Sequence, residues 1–231
     1  YKLTNNYLFK YFKPYLKIIS KQSLIFKYQI LSKIYNIPLE FALPIDGKCL
    51  PWDIQTNIIN QRILAKDGKF KFFNFNKNDI EKGKKILSKL GLSKDCWYVT
   101  LHVRQPGYRD AYTETENYRN ADPLTYIKAI KSITSIGGKV ILVGDSSMKI
   151  MSKIHGLIDY AHSNEKSEFM DIFLAATARF CIGTSSGFYA ISMMFNVPVL
   201  LTNFLPATPY WTLTEHDMFL PKVLIDRKNN K

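Results

Sequence analysis

Apolar positions along this chain follow two rhythms, and the change between them falls near residue 97. Upstream the rhythm is helical. Leu24, Tyr28, Leu31 and Tyr35 recur at spacings of four, three and four, which predicts an amphipathic helix over 18–35, with Pro14 starting or kinking an earlier one. Residues 37–78 carry Pro38, Pro44, Gly47, Pro51 and Gly68 with little periodicity, and read as a connector with short elements. A helix over 79–90 follows, with Asp79 or Asn78 as its cap, Ile80, Ile86, Leu87 and Leu90 on its apolar face and Gly91 as its stop.

From residue 97 the rhythm alternates between strand and helix. In the strand predicted over 97–103, Trp97, Val99, Leu101 and Val103 share one face and Tyr98, Thr100 and His102 the other. Asp122 and Pro123 then open a helix whose apolar side is Leu124, Ile127, Ile130 and Ile133, ended by Gly137-Gly138. The run KVILV, 139–143, predicts a strand covered on both faces. A short strand over 157–160, a helix from Ser167 or Glu168 to Ala178, and a strand over 180–182 come next. A buried helix over 188–195 and a strand over 197–201 complete the series, and Pro198 places that last strand at an edge or a bulge. Repeated units of this kind imply an α/β fold, a Rossmann-like parallel sheet with flanking helices. The expected division is a mainly helical segment over 1–90 and a nucleotide-binding domain over 91–231.

In such sheets ligands bind outside the carboxyl ends of the strands. Arg104 lies just past the first strand, in a basic loop with Pro106, Gly107 and Arg109, and its planar fork matches a phosphate. Gly183-Thr184-Ser185-Ser186-Gly187 falls between a strand and a helix, where free N–H groups and small hydroxyl residues receive anions. Arg119 offers a second phosphate contact, Tyr118 a stacking ring, and Asn120 sits beside them. Asp145, Lys149 and His162 follow other predicted strands. Together these loops predict one positive, donor-rich crevice suited to a nucleotide diphosphate. The same five residues match G-x-S-x-G, with Ser185 as a hydrolase nucleophile. That fold wants an acid and then a histidine after the serine. Here only His216 follows, the sole intervening acid is its neighbour Glu215, and little chain remains for the rest of that sheet.

Composition narrows the partners. The net charge of +13 favours an anionic one. Lysine is scattered, however, and no RNP-type motif, zinc-finger spacing or arginine run is present, so nucleic acid is not expected. The Lys-rich face of the first helix reads as solvated, with peripheral contact to an anionic membrane as the alternative. Three dispersed cysteines argue against a disulfide framework or structural zinc and fit a reducing cytoplasm. No dinucleotide fingerprint, P-loop or metal-ligand set is present, so neither cofactor nor metal is expected.

The blocks LHVRQPGYRD, YRNADPLTYIKAI, VGDSSMK, IDYAHS, FMDIFLAATARFCIGTSSGFYAI and VPVLLTN, in that order, resemble a bacterial glycosyltransferase family. The H-x-R after a strand, with a later Ser-rich turn before a helix, is also similar to GDP-fucose-type fucosyltransferases of GT-B fold. The resemblance covers roughly residues 79–221 and implies the C-terminal, donor-binding half of such an enzyme. Residues 1–90 would then be the remnant of an acceptor domain. The resemblance implies metal-independent sugar transfer from a nucleotide-sugar donor to a glycan or lipid-linked acceptor, in cell-surface polysaccharide synthesis at the inner face of the membrane. It implies that Arg104 binds the β-phosphate, that His102 shapes that site, and that Thr184, Ser185 and Ser186 hold phosphate oxygens. Asp145 and His162 would contact nucleoside or sugar. Asp110, Glu114 and Glu116 are the loop carboxylates from which an inverting transfer would draw its base. A non-catalytic nucleotide-sugar or glycan-binding module is the alternative from a different class.

Overall fold

The computed structural model describes residues 5–15, 22–34, 52–69, 71–107, 117–151, 153–204 and 214–223. The chain divides into two compact units, one of residues 1–68 and 208–212 and one of 69–207 and 213–231. The first contains α1 (Asn6–Phe12), α2 (Gln22–Ile34) and α3 (Trp52–Asp67). Asn5 caps α1 by accepting from the Leu8 N–H at 2.7 Å. Helix α2 falls inside the predicted span, but Leu24 and Leu31 of its predicted apolar face are 48% and 39% exposed. Helix α3 replaces part of the predicted connector. Its apolar residues Ile58, Ile59, Ile63 and Leu64 are spread around the helix and leave no periodic face to read.

The second unit starts with α4 (Lys77–Lys89). Its cap is Asn76, whose side chain accepts from the Asp79 N–H at 2.8 Å, rather than the predicted Asp79 or Asn78. The helix packs closely on the sheet unit: a Cβ at Gly83 would run into the ring of Phe173.

Six strands then form one sheet: β1 (Tyr98–His102), β2 (Lys139–Leu142), β3 (Leu157–Asp159), β4 (Cys181–Gly183), β5 (Val199–Phe204) and β6 (Met218–Pro221). Their spatial order is β3-β2-β1-β4-β5-β6, and every pair is parallel. Helices α5 (Ile127–Ser135), α6 (Glu168–Thr177) and α7 (Gly187–Met194) lie between strands in the chain. This is an α/β fold with a parallel sheet and flanking helices, as the strand–helix rhythm predicts. Strand β1 is central and covered on both faces: Tyr98, Val99, Thr100 and Leu101 are all at most 4% exposed. Its two-face pattern therefore separates two buried environments rather than core from solvent. Val99, Leu101, Ile130, Val140 and Leu142 anchor the core on one side.

Four further details differ from the sequence reading. Pro123–Tyr126 forms a 3-10 turn before α5, so Tyr126 takes the inward place and Leu124 is 44% exposed. Strand β5 is not an edge, because β4 and β6 pair with its two sides. Pro198 immediately precedes β5, and the irregularity predicted from it lies instead between Leu201 and Phe204, where Asn203 adopts φ +50°. The edge on that side is β6, a short strand with all four residues exposed, which the sequence reading did not include.

Candidate functional site

The strand order reverses direction at β1: the chain moves outward through β2 and β3, then returns to place β4 on the other side of β1. Such a reversal leaves a crevice at the carboxyl ends of the two adjacent strands. The last pair in the β1–β4 ladder is His102 with Gly183, so both informative sequence segments emerge side by side.

Their backbones are stitched together. The Thr184 N–H donates to the His102 carbonyl at 3.1 Å, and the Thr184 hydroxyl accepts from the Arg104 N–H at 2.8 Å. Thr184 is fully buried, so its hydroxyl fixes the backbone from which the Arg104 side chain departs. Ser186 caps α7 by accepting from the Phe188 N–H at 3.4 Å, and its hydroxyl lies 3.1 Å from His102 Nδ1. The Ser186 hydroxyl, with one hydrogen and two lone pairs, can serve Nδ1 in either tautomer of the neutral ring. The ring also stacks on Phe188, with centroids 5.5 Å apart and planes 9° from parallel. Burial lowers the His102 pKa to about 4; Asp145 opposes that shift, and Arg104 and Lys166 add to it. His102 is therefore neutral at physiological pH and serves the site as a hydrogen-bonding ring, not a charge.

Arg119 is tied to the same turn. Its Nε and Nη2 both donate to the Ser185 carbonyl, at 3.2 and 2.9 Å. In a trans peptide the N–H points opposite the C=O. Holding the Ser185 carbonyl thus turns the Ser186 N–H away from Arg119. Among the described residues, the N–H groups of Ser185, Ser186 and Gly187 meet no acceptor. N–H groups at a helix start can serve an anion as donors, although Ser186 is extended (φ −153°, ψ 173°), so its N–H and that of Gly187 point to opposite sides. A Cβ at Gly187 would meet nothing within 4 Å, so there is open space at this position.

The segment 117–120 is braced from other sides as well. The Ala121 N–H donates to the Arg104 carbonyl at 3.0 Å, and Lys222 Nζ, just past β6, donates to the Tyr118 and Asn120 carbonyls at 2.6 and 3.4 Å. The Asn120 side chain donates to Asn117 at 3.1 Å, and the Tyr118 ring is 45% exposed. Asp145 closes an Asx turn by accepting from the Ser147 N–H at 2.8 Å. The loop after β2 meets the loop after β1: the Lys149 N–H donates to Gln105 Oε1 at 2.9 Å, and a Cβ at Gly107, where φ is +110°, would crowd Ser147. His162, past β3, spans Asp159 and Met148. Its Nδ1 is 2.9 Å from both Asp159 carboxylate oxygens, and its Nε2 is 3.0 Å from the Met148 carbonyl.

The predicted residues 102, 104, 118–120, 145, 149, 162 and 183–187 thus all fall at the carboxyl edge of the sheet. Asp110, Glu114 and Glu116 lie outside the described residues. Two contributors escaped the sequence reading. Gln105 is uncharged and so drew no attention beside Arg104. Lys166 sits just before the α6 cap, in a loop that the strand–loop rule already sends to this edge; it pairs with Asp171 at 3.1 Å. Ser185 has no hydrogen bond from a histidine or carboxylate among the described residues, and its φ is not left-handed. His216 instead pairs with Glu215 at 3.4 Å, both largely exposed.

No protein-family model and no curated protein matches the chain. Similar solved structures do exist. One is E. coli ADP-heptose LPS heptosyltransferase II, with TM-score 0.48 and 13% identity, over 64% of this chain and 44% of that one. Another is the family 9 glycosyl transferase of Veillonella parvula DSM 2008, with TM-score 0.47 and 11% identity, over 69% and 48%. A third is E. coli heptosyltransferase WaaC with ADP-2-deoxy-2-fluoro heptose, with TM-score 0.35 and 13% identity, over 64% and 43%. The matched region spans less than half of each of these chains.

Proposed function

We propose that this chain is the donor-binding part of a GT-B glycosyltransferase, which moves a sugar from a nucleotide diphosphate to a glycan or lipid-linked acceptor. The observation that carries this reading is the turn at residues 185–187, whose N–H groups meet no acceptor among the described residues at the start of α7, set beside Arg104 at the reversal of the sheet. A diphosphate fits there because the free donors take its oxygens while the guanidinium takes its charge. During transfer the bond from the anomeric carbon to the diphosphate oxygen breaks, and a bond to the acceptor hydroxyl oxygen forms. The acceptor proton passes to a base, for which Asp110, Glu114 and Glu116 are the sequence candidates. Negative charge then grows on the departing diphosphate. Fixed N–H groups and Arg104 stabilise that charge more in the transition state than in the ground state, the role a divalent metal takes in other transferases.

The test is a thermal-shift screen of ADP, GDP, UDP and their sugars against the protein, followed by calorimetry on Arg104→Ala. One nucleoside diphosphate should raise the melting temperature selectively, since it binds the native state alone. Arg104→Ala should weaken it by about tenfold or more, the loss expected for one charge-assisted contact. Unchanged affinity in Arg104→Ala would refute the assignment. Donor binding without sugar transfer in the protein carrying its acceptor domain would favour a non-catalytic binding module.

A further inference from the structure

A continuous hydrogen-bonded path runs from β3 to the residue beside Arg104. It begins at the Asp159 carboxylate, which holds His162 Nδ1 at 2.9 Å. It crosses the ring to Nε2, which meets the Met148 carbonyl at 3.0 Å. That carbonyl belongs to the same peptide group as the Lys149 N–H, which donates to Gln105 Oε1 at 2.9 Å. One peptide plane therefore has His162 on its carbonyl side and Gln105 on its amide side. Met148 itself is 6% exposed and lies against Gly144, where a Cβ would strike its sulfur, so the plane is held on a packed side chain.

We propose that His162, in its doubly protonated form, is a positioning residue for the diphosphate crevice, setting the Arg104 loop through the Met148–Lys149 peptide and Gln105. This rests on the reading of the crevice as a diphosphate site and assigns His162 a place behind it rather than a contact with nucleoside or sugar. The chemistry of the two ring partners requires the charge. A carboxylate and a carbonyl both only accept, so both ring nitrogens must donate, and a neutral imidazole can donate from one alone. The groups facing the ring are the Asp159 carboxylate and the Met148 and Ser146 backbones, and together they raise its pKa, the Asp159 hydrogen bond foremost. Loss of the proton removes one of the two bonds. A hydrogen-bonded chain polarises along its length, so the break is felt at Gln105.

The test compares wild type with His162→Gln, which keeps one donor and cannot titrate. Two readouts are taken between pH 5.5 and 8.5: the calorimetric affinity for inorganic pyrophosphate and the exchange protection factor of the Lys149 amide in the ligand-free protein. In wild type both should fall as pH rises through the His162 pKa. In His162→Gln the protection factor should be flat, and at the low end of the range pyrophosphate should bind about tenfold more weakly than to wild type, as for loss of a charged hydrogen bond. The two proteins should converge at pH 8.5. Because pyrophosphate itself titrates in this range, the quantity read is the ratio between the proteins. A ratio constant with pH, or a Lys149 amide indifferent to both pH and substitution, overturns the proposal. If pyrophosphate binds neither protein while Lys149 protection follows His162, the relay stands and the diphosphate reading falls.

Discussion

His102 and His162 occupy one edge of the sheet and couple to pH with opposite signs. His102 stacks on Phe188, bonds Ser186 and has its pKa lowered to about 4, chiefly by burial. Its unfolded value lies near 6.5, so the unfolded chain binds the proton more readily between those limits. Its contribution to stability is complete above pH 6.5 and is lost as pH falls through about 4. His162 is raised instead, so its contribution is complete below pH 6.5 and is lost as pH rises through the folded value. The chain has four histidines, few enough to resolve by NMR. The His102 ring resonance should titrate near pH 4 and the His162 resonance above 6.5. In His102→Gln the loss of unfolding free energy between pH 6.5 and 4 should shrink. A His102 midpoint near 6.5 would show that the ring is not held neutral by its surroundings.

Helix α4 shows how a well-read element can still hide its tightest contact. Its apolar positions are legible from periodicity, but Gly83 reads only as a weak point in a helix, costing about 1 kcal/mol relative to alanine. The structure supplies the reason: the helix backbone closes on the Phe173 ring, itself 2% exposed. Gly83→Ala should therefore destabilise the protein by about 1–3 kcal/mol, the range for overpacking, despite the better helix propensity of alanine. Urea unfolding checks this, and a gain in stability would mean that Phe173 yields. The same limit governs what else the chain disclosed. Strand–helix spacing exposed five of the six strands: four are largely buried, and β3, half-buried with Asp159 at its end, is marked by its place between a glycine turn and the next helix. Strand β6 went unread although Met218, Phe219 and Leu220 are apolar, because the run is short and ends in Pro221. Spatial order was also out of reach, since spacing shows that strands are parallel but not which ones become neighbours. Within the site, residue type revealed where Arg119 would be found but not its acceptor. A guanidinium suits a phosphate and a carbonyl alike, and here two of its nitrogens hold the Ser185 carbonyl.

The sheet consists of two halves, β1-β2-β3 and β4-β5-β6, joined along the β1–β4 seam by the pairs Thr100–Cys181, Leu101–Ile182 and His102–Gly183. The carboxyl end of that seam is closed by the Thr184 N–H on His102, the Arg104 N–H on the Thr184 hydroxyl, and the Ser186–His102 contact. Arg104 leaves one half and the free N–H groups of 185–187 leave the other. A diphosphate that engages both adds links across the seam and should suppress its local opening. Strand β6 lies two strands from the seam at the sheet edge, with all four residues exposed, and should open independently. Hydrogen exchange with saturating diphosphate should therefore slow the amides of Arg104 and Thr184 by about tenfold or more, if the ligand adds about 1.4 kcal/mol to the local opening energy. The amides of Phe219 and Leu220 should be unchanged. Slowing confined to one half of the sheet would place the ligand away from the seam, and equal slowing at β6 would mean that it acts on global unfolding rather than at the crevice.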